Sequence, residues 1–136
     1  MKVIRGRGLA EGEGEGPALV SPAPISFYGG VDPESGIVRE RGHPLEGACI
    51  AGKVLIFPRG KGSTVGSYVL LSLARRGKAP SAIINLESEP IIIIGCILSG
   101  IPLVDRPNRD VTKEIKNNVY VRVKVQGRNG IIEVLE

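Results

Sequence analysis

The sequence predicts one mixed, β-rich α/β domain over residues 1–136, and three observations carry that expectation. Its 19 glycines and 10 prolines punctuate short Val/Ile runs, the pattern of brief strands and tight turns rather than of a helical bundle. In the middle of the chain, two apolar runs are each followed by a segment of helical character, which makes two strand–helix steps. Near the end, apolar and charged residues alternate on either side of a Gly-bounded turn, the mark of an antiparallel hairpin. With 136 residues there is chain enough for one proper core and too little for two.

Lys2 to Arg7 reads as the first strand. The run Glu11-Gly12-Glu13-Gly14-Glu15-Gly16 is compositionally simple, and it reads as a solvated edge or turn leading into Pro17-Ala18-Leu19-Val20. Residues 21–52 show little periodicity and are broken by Pro22, Pro24, Gly29-Gly30, Asp32-Pro33, Gly36, Gly42 and Pro44. A loop of that length in a compact chain is functional or packed against a partner. Lys53-Val54-Leu55-Ile56-Phe57 is a buried strand that ends at Pro58.

Beyond the loop that follows, Val65, Val69 and Leu73, helped by Tyr68, recur at helical spacing, with Ser63 or Thr64 as the N-cap. Arg75-Arg76 suit the negative end of the helix dipole, and Gly77 is a natural terminator. Ala82-Ile83-Ile84-Asn85 is a second buried strand. Ser88 to Gly100 is rich in isoleucine, but a capping Ser88, an early Pro90 and a closing Gly100 tip it towards a short buried helix. Pro102-Leu103-Val104 is a further strand. Val119 to Val125 and Ile131 to Val134 form the hairpin across Gly127–Gly130.

Composition excludes several function classes. No apolar h-region follows Met1-Lys2, and the longest apolar run, Ile91 to Leu98, is too short to span a bilayer, so the expected location is cytoplasmic. Net charge is +4, yet aromatic residues make up only 4% and no dense Lys/Arg stripe occurs, which argues against nucleic acid and fits a small anionic ligand. Cys49 and Cys96 read as buried free thiols. With His43 as the only histidine, the chain has no four-ligand set for zinc or an iron–sulfur cluster. His43 itself, in a Pro/Gly loop, reads as a surface or interface residue.

The chemistry concentrates on Pro58-Arg59-Gly60-Lys61-Gly62-Ser63-Thr64. Strand, Gly-rich loop, Ser/Thr and then helix is an arrangement that holds anions, because the first N–H groups of a helix are unpaired and its dipole is positive there. Arg59 and Lys61 add charge at the same place. A capped helix after a flexible turn is the structural alternative. The loop is not a phosphate-binding Walker loop, since Gly47 to Lys53 is followed by Val54 and runs into a strand. Nor is there a Gly-x-Ser-x-Gly elbow for a serine hydrolase. Ser63 is the most reactive group, but a hydroxyl needs help to act as a base. Helix-start amides, Arg59, Lys61 and a cation on a partner could stabilise its alkoxide and let it take a proton from a carbon acid.

Three separated motifs carry a family resemblance. Ile25-Ser26-Phe27-Tyr28-Gly29-Gly30-Val31-Asp32-Pro33-Glu34-Ser35-Gly36, then Gly60-Lys61-Gly62-Ser63-Thr64-Val65-Gly66-Ser67, then Ile101-Pro102-Leu103-Val104-Asp105 resemble the swivelling domain of the aconitase X family, from about Gly8 to the C-terminus. The resemblance implies the swivelling β/β/α fold of the aconitase small domain. For a separate chain of this length it implies the small subunit of an archaeal hydro-lyase. Such an enzyme converts mevalonate 5-phosphate to trans-anhydromevalonate 5-phosphate in a variant isoprenoid pathway. It implies a heterodimer whose large subunit carries the iron–sulfur cluster, a Lewis acid for the departing hydroxyl, with no metal on this chain.

The family's proton-accepting serine falls on Ser63. Arg59, Lys61, Gly62 and Thr64 then become candidates for binding the phosphate and carboxylate of the substrate. Gly30 and Asp32, with Tyr28 and Gly29, become candidates for a cleft wall or a subunit contact, although Asp32-Pro33 explains itself equally well as a turn. Asn85 is a candidate to face the cleft, or a strand-end turn residue. Two other readings stand beside this one: a dehydratase of a different hydroxy acid such as a hydroxyproline, and a non-catalytic module that holds an anion on the same loop.

Overall fold

The computed structural model describes all 136 residues as one closed seven-stranded barrel with two helices on its outside. The strands are β1 (Lys2–Ala10), β2 (Gly12–Val20), β3 (Val54–Phe57), β4 (Ala82–Asn85), β5 (Leu103–Asp105), β6 (Tyr120–Gln126) and β7 (Asn129–Leu135). The helices are α1 (Gly66–Arg75), α2 (Pro90–Ser99) and a single turn, α3 (Val111–Glu114). Around the barrel the order is β1-β5-β4-β3-β2-β6-β7. β2, β3, β4 and β5 run parallel, with α1 and α2 as the crossovers after β3 and β4, and the remaining pairs are antiparallel. No helix is long and apolar enough to cross a membrane.

Strand periodicity divides the core in two. Within β3, Val54 and Ile56 join Ile4, Ala18, Ile84, Val104, Val121, Val123, Ile132 and Val134 in one cluster, the barrel interior. Leu55 and Phe57 point the other way and pack with Leu70, Leu73, Ile92 and Cys96 of the helices. The long segment 21–53 covers this second face. Its Ile25, Phe27, Val31, Val38, Leu45 and Ile50 are all buried in the helix-side cluster, so the segment packs on its own domain. His43, expected at the surface, is buried: its Nε2 lies 2.9 Å from the Pro24 carbonyl oxygen, and its Nδ1 accepts the Leu45 N–H at 3.0 Å. The ring ties two turns of the segment together.

The Glu/Gly run is strand from Gly12 to Gly16, the first five residues of β2, and Glu11 alone links β1 to it. It pairs with β6 so that Glu13 faces Lys124 and Glu15 faces Arg122, and Arg122 Nε lies 2.6 Å from Glu15 Oε2. The glycines face inward, where a Cβ on Gly14 would stand 1.9 Å from the Ser81 carbonyl oxygen. Barrel closure therefore selects glycine on one face and charge on the other. The isoleucine-rich segment is helical, as its caps predict, with Pro90 in the first turn and Gly100 in the left-handed conformation. Ser88 does not cap it.

Candidate functional site

The loop 58–65 leaves the C-terminal end of β3, beside the turn that follows β4. Pro58 begins it, and its carbonyl accepts the N–H groups of Leu86 and Glu87 at 3.0 and 3.2 Å. Ile25 then makes a short parallel bridge with Gly60: its N–H reaches the Arg59 carbonyl at 3.2 Å, and its own carbonyl accepts the Lys61 N–H at 3.0 Å. Gly60 is buried against Ile92 and Glu89, and Gly62 adopts φ +94° with Ser26 Oγ 2.6 Å from where a Cβ would be. Both positions accept only glycine without rearrangement.

Ser63 and Thr64 come next and are exposed. The α-helix starts at Gly66, later than the sequence suggests, and Val65 occupies the cap position without a side-chain bond. Ser63 nevertheless serves the helix start. Its Oγ accepts the Val65 N–H at 3.1 Å, and its carbonyl accepts the Gly66 N–H at 3.0 Å. Thr64 accepts the Ser67 hydroxyl at 3.0 Å through its carbonyl. The N–H groups of Gly62, Ser63 and Thr64 find no acceptor within the chain. Three successive donors without an acceptor precede the helix, an arrangement able to hold an anion, and the Val65 N–H aimed at Ser63 Oγ favours a negative charge there.

The cations divide into one held and one free. Lys61 Nζ lies 2.9 Å from Glu40 Oε2, whereas Arg59 is exposed and makes no ion pair within the chain. Lys61 and Glu40 line a shallow pocket of about 380 Å³ with Ser26, Tyr28, Gly29, Gly30 and Gly62. Gly30 is buried there, and its carbonyl accepts the Arg39 N–H at 2.7 Å. A neighbouring groove of about 600 Å³ runs past Tyr28, Asp32, Arg39, Val65 and Tyr68. Val65 and Tyr68 belong to this groove and not to the core, being 40% and 66% exposed, so only Val69 and Leu73 of the helical quartet are buried.

Asp32 borders that groove, but its carboxylate is committed to a turn. Oδ1 accepts the Glu34 N–H at 3.1 Å, and Oδ2 takes the Ser35 hydroxyl at 2.8 Å and Arg39 at 3.0 Å. The Glu34 N–H and Ser35 hydroxyl, with Arg39 adding charge, hold the Asp32 carboxyl below its ordinary range. Asn85 does not face a cleft. It is fully buried, donating to the Phe57 carbonyl at 3.0 Å and accepting the Ser88 hydroxyl at 2.7 Å. Its amide is spent on the packing behind the loop.

Cys49 and Cys96 are free thiols, and burial pushes the Cys96 thiol well up from its ordinary value. No group of three His, Cys, Asp or Glu side chains converges anywhere in the chain. One buried acceptor that sequence reasoning passes over lies close to the loop. Glu89 Oε1 has no hydrogen-bond partner and would stand 2.8 Å from a Cβ on Gly60.

Comparisons with known proteins agree with this fold. The profile of the aconitase X swivel domain matches residues 3–134. A phosphomevalonate dehydratase small subunit from Methanocella arvoryzae is 52% identical over 131 residues, 96% of this chain and 98% of its own. Another of that name, from Thermococcus onnurineus, is 51% identical over 133 residues, 98% of each chain. The crystal structure of Thermococcus kodakaraensis aconitase X in its holo-form superposes with a TM-score of 0.92 at 48% identity, over the full length of both chains. The loop, the barrel and the near-complete match of sequence lead to one conclusion: the chain belongs to the aconitase X swivel domain family.

Proposed function

We propose that the chain is the small subunit of a phosphomevalonate dehydratase, with Ser63 as the proton acceptor. The observation that carries this reading is the exposed Ser63 hydroxyl at a helix entrance, flanked by three unpaired backbone donors and an unpaired Arg59. Relatives matched over nearly their whole length bear the name of that subunit, which supports a larger partner.

In this reading Ser63 removes a proton from the carbon beside the substrate carboxylate. The electron pair of that C–H bond becomes the new double bond, and the hydroxyl on the next carbon departs, so the elements of water are lost. The free N–H groups and Arg59 hold the anionic groups of the substrate and stabilise Ser63 as the alkoxide, which becomes a neutral hydroxyl when it takes the proton. The cluster implied by the resemblance is assigned to the large subunit, because this chain brings no ligand set for it.

Two features support a site completed by another chain. Ser63 lines neither groove beside it, standing on an exposed loop rather than inside a pocket. In addition, α2 carries no charged residue yet leaves Ile94, Ile97 and Leu98 at least half exposed, which is unusual for a helix apolar all round. The test is co-purification with the large subunit, then a dehydration assay on mevalonate 5-phosphate and on hydroxyproline. Turnover of the phosphorylated acid alone supports the reading, whereas turnover of hydroxyproline alone or of neither substrate contradicts it.

A further inference from the structure

A buried chain of polar side chains lies behind the Ser63 loop. At the far end Asp105, fully buried at the end of β5, receives Arg7 of the adjacent strand through Nε at 2.8 Å and through a terminal guanidinium nitrogen at 2.9 Å. The same carboxylate accepts the backbone N–H of Ser88 at 2.9 Å. Ser88 Oγ donates to Asn85 Oδ1 at 2.7 Å, and Asn85 Nδ2 donates to the carbonyl of Phe57 at 3.0 Å. Phe57 immediately precedes Pro58, whose carbonyl holds Leu86 and Glu87 of the same turn. Further along, Glu89 at the end of the turn and Ile92 in α2 lie directly against Gly60.

Every link is short, and Asn85, Ser88 and Asp105 are each at most 9% exposed. Buried polar groups far from any ligand are costly unless fully paired, and an apolar core would fill the same space more simply. The turn 86–89 is thus pinned on one side by Asp105 and on the other by the root of the loop. It forms the floor on which Gly60 rests, three residues before Ser63.

We propose that Ser88 is a positioning residue for Ser63, acting through Asn85 and Phe57 to set the height of the loop. This inference rests on the reading of Ser63 as the proton acceptor. Removing the Ser88 hydroxyl leaves its backbone bond to Asp105 in place and releases only the link to Asn85. A displacement of about 1 Å at a reacting group is enough to lower turnover by 10- to 100-fold.

The experiment measures steady-state kinetics of the assembled pair carrying Ser88→Ala, Ser88→Cys or Ser88→Thr in this chain, each alone and with Ser63→Ala. Ser88→Ala is expected to lower kcat about tenfold with KM changed less than about twofold, while Ser88→Thr restores it and the melting midpoint holds. Ser88→Cys, which keeps the volume with a weaker donor, falls between and serves if the alanine variant folds poorly. In the Ser63→Ala background the Ser88 variants should lower the residual rate no further, because the two residues act as a unit. Unchanged kcat in Ser88→Ala and Ser88→Cys, or an equal loss in both backgrounds, overturns the inference alone. Full turnover by Ser63→Ala overturns the reading beneath it as well.

Discussion

The ammonium of Lys61 rests 2.9 Å from the Glu40 carboxylate, across the pocket that Gly30 and Gly62 share with them. The lysine is therefore held by its own chain before any ligand arrives, while Arg59 is not. If the loop holds the substrate anions as proposed, Lys61→Met removes a cation from beside it, and KM for the phosphorylated acid should rise about tenfold, with a smaller change in kcat. Glu40→Gln frees the lysine and removes a negative charge, so KM should fall, by less than about threefold. Steady-state kinetics of the assembled pair check both directions.

Gly14 faces inward on β2, with the Ser81 carbonyl oxygen 1.9 Å from the place of a Cβ. Backbone cannot yield as a side-chain tip does, so Gly14→Ala should cost about 3 kcal/mol of stability. Glu13, exposed on the opposite face, is the control, and Glu13→Ala should leave the unfolding midpoint unchanged. Urea unfolding of the two variants distinguishes a strand under close approach from a solvated low-complexity run.

Asp32 titrates below an ordinary carboxylate because the Glu34 N–H, the Ser35 hydroxyl and Arg39 favour its charged form. Its contribution to stability is present above the unfolded value of about 3.9 and disappears as pH falls through the lower folded value. Asp32→Asn should therefore remove part of the stability seen near neutral pH and flatten the loss below about pH 4. Unfolding midpoints from pH 2 to 7 provide the measurement.

The two thiols should behave differently. Cys96 is fully buried and its thiol is pushed up, whereas Cys49 is partly accessible and points to the Ser35 carbonyl at 3.4 Å. A thiol reagent near neutral pH should label Cys49 in the folded chain and both residues after unfolding. Two labels in the native state would contradict the packing described for α2.

Much of this architecture was legible because it rests on local pattern. Val54–Phe57, Ala82–Asn85 and the C-terminal hairpin declare themselves by apolar runs and alternation, and Pro90 with Gly100 brackets α2. What escaped depends on contacts distant in sequence. Nothing local marks Gly12–Gly16 as strand, because its glycines answer to Pro102, Ser81 and Gly52 across the barrel. Val65 and Tyr68 share helical spacing with Val69 and Leu73, and only the placement of segment 21–53 turns them towards a groove. The inward placement of the His43 ring and the Asn85 amide depends in part on the Pro24 and Phe57 carbonyls, 19 and 28 residues away in sequence. The one-turn α3 was too short to register. The loop at Ser63 was readable for the opposite reason: its two glycines, two cations and helix start lie within eight residues.

Ser63 is exposed and bonds only within its own turn, so replacing it should cost the fold little. The most direct measurement is the rate of dehydration of mevalonate 5-phosphate by the pair carrying Ser63→Ala, with assembly checked by co-elution. A complex that forms normally but loses turnover by about a thousandfold or more is the expected result. Near-normal dehydration by that complex would contradict the assignment of Ser63 as proton acceptor.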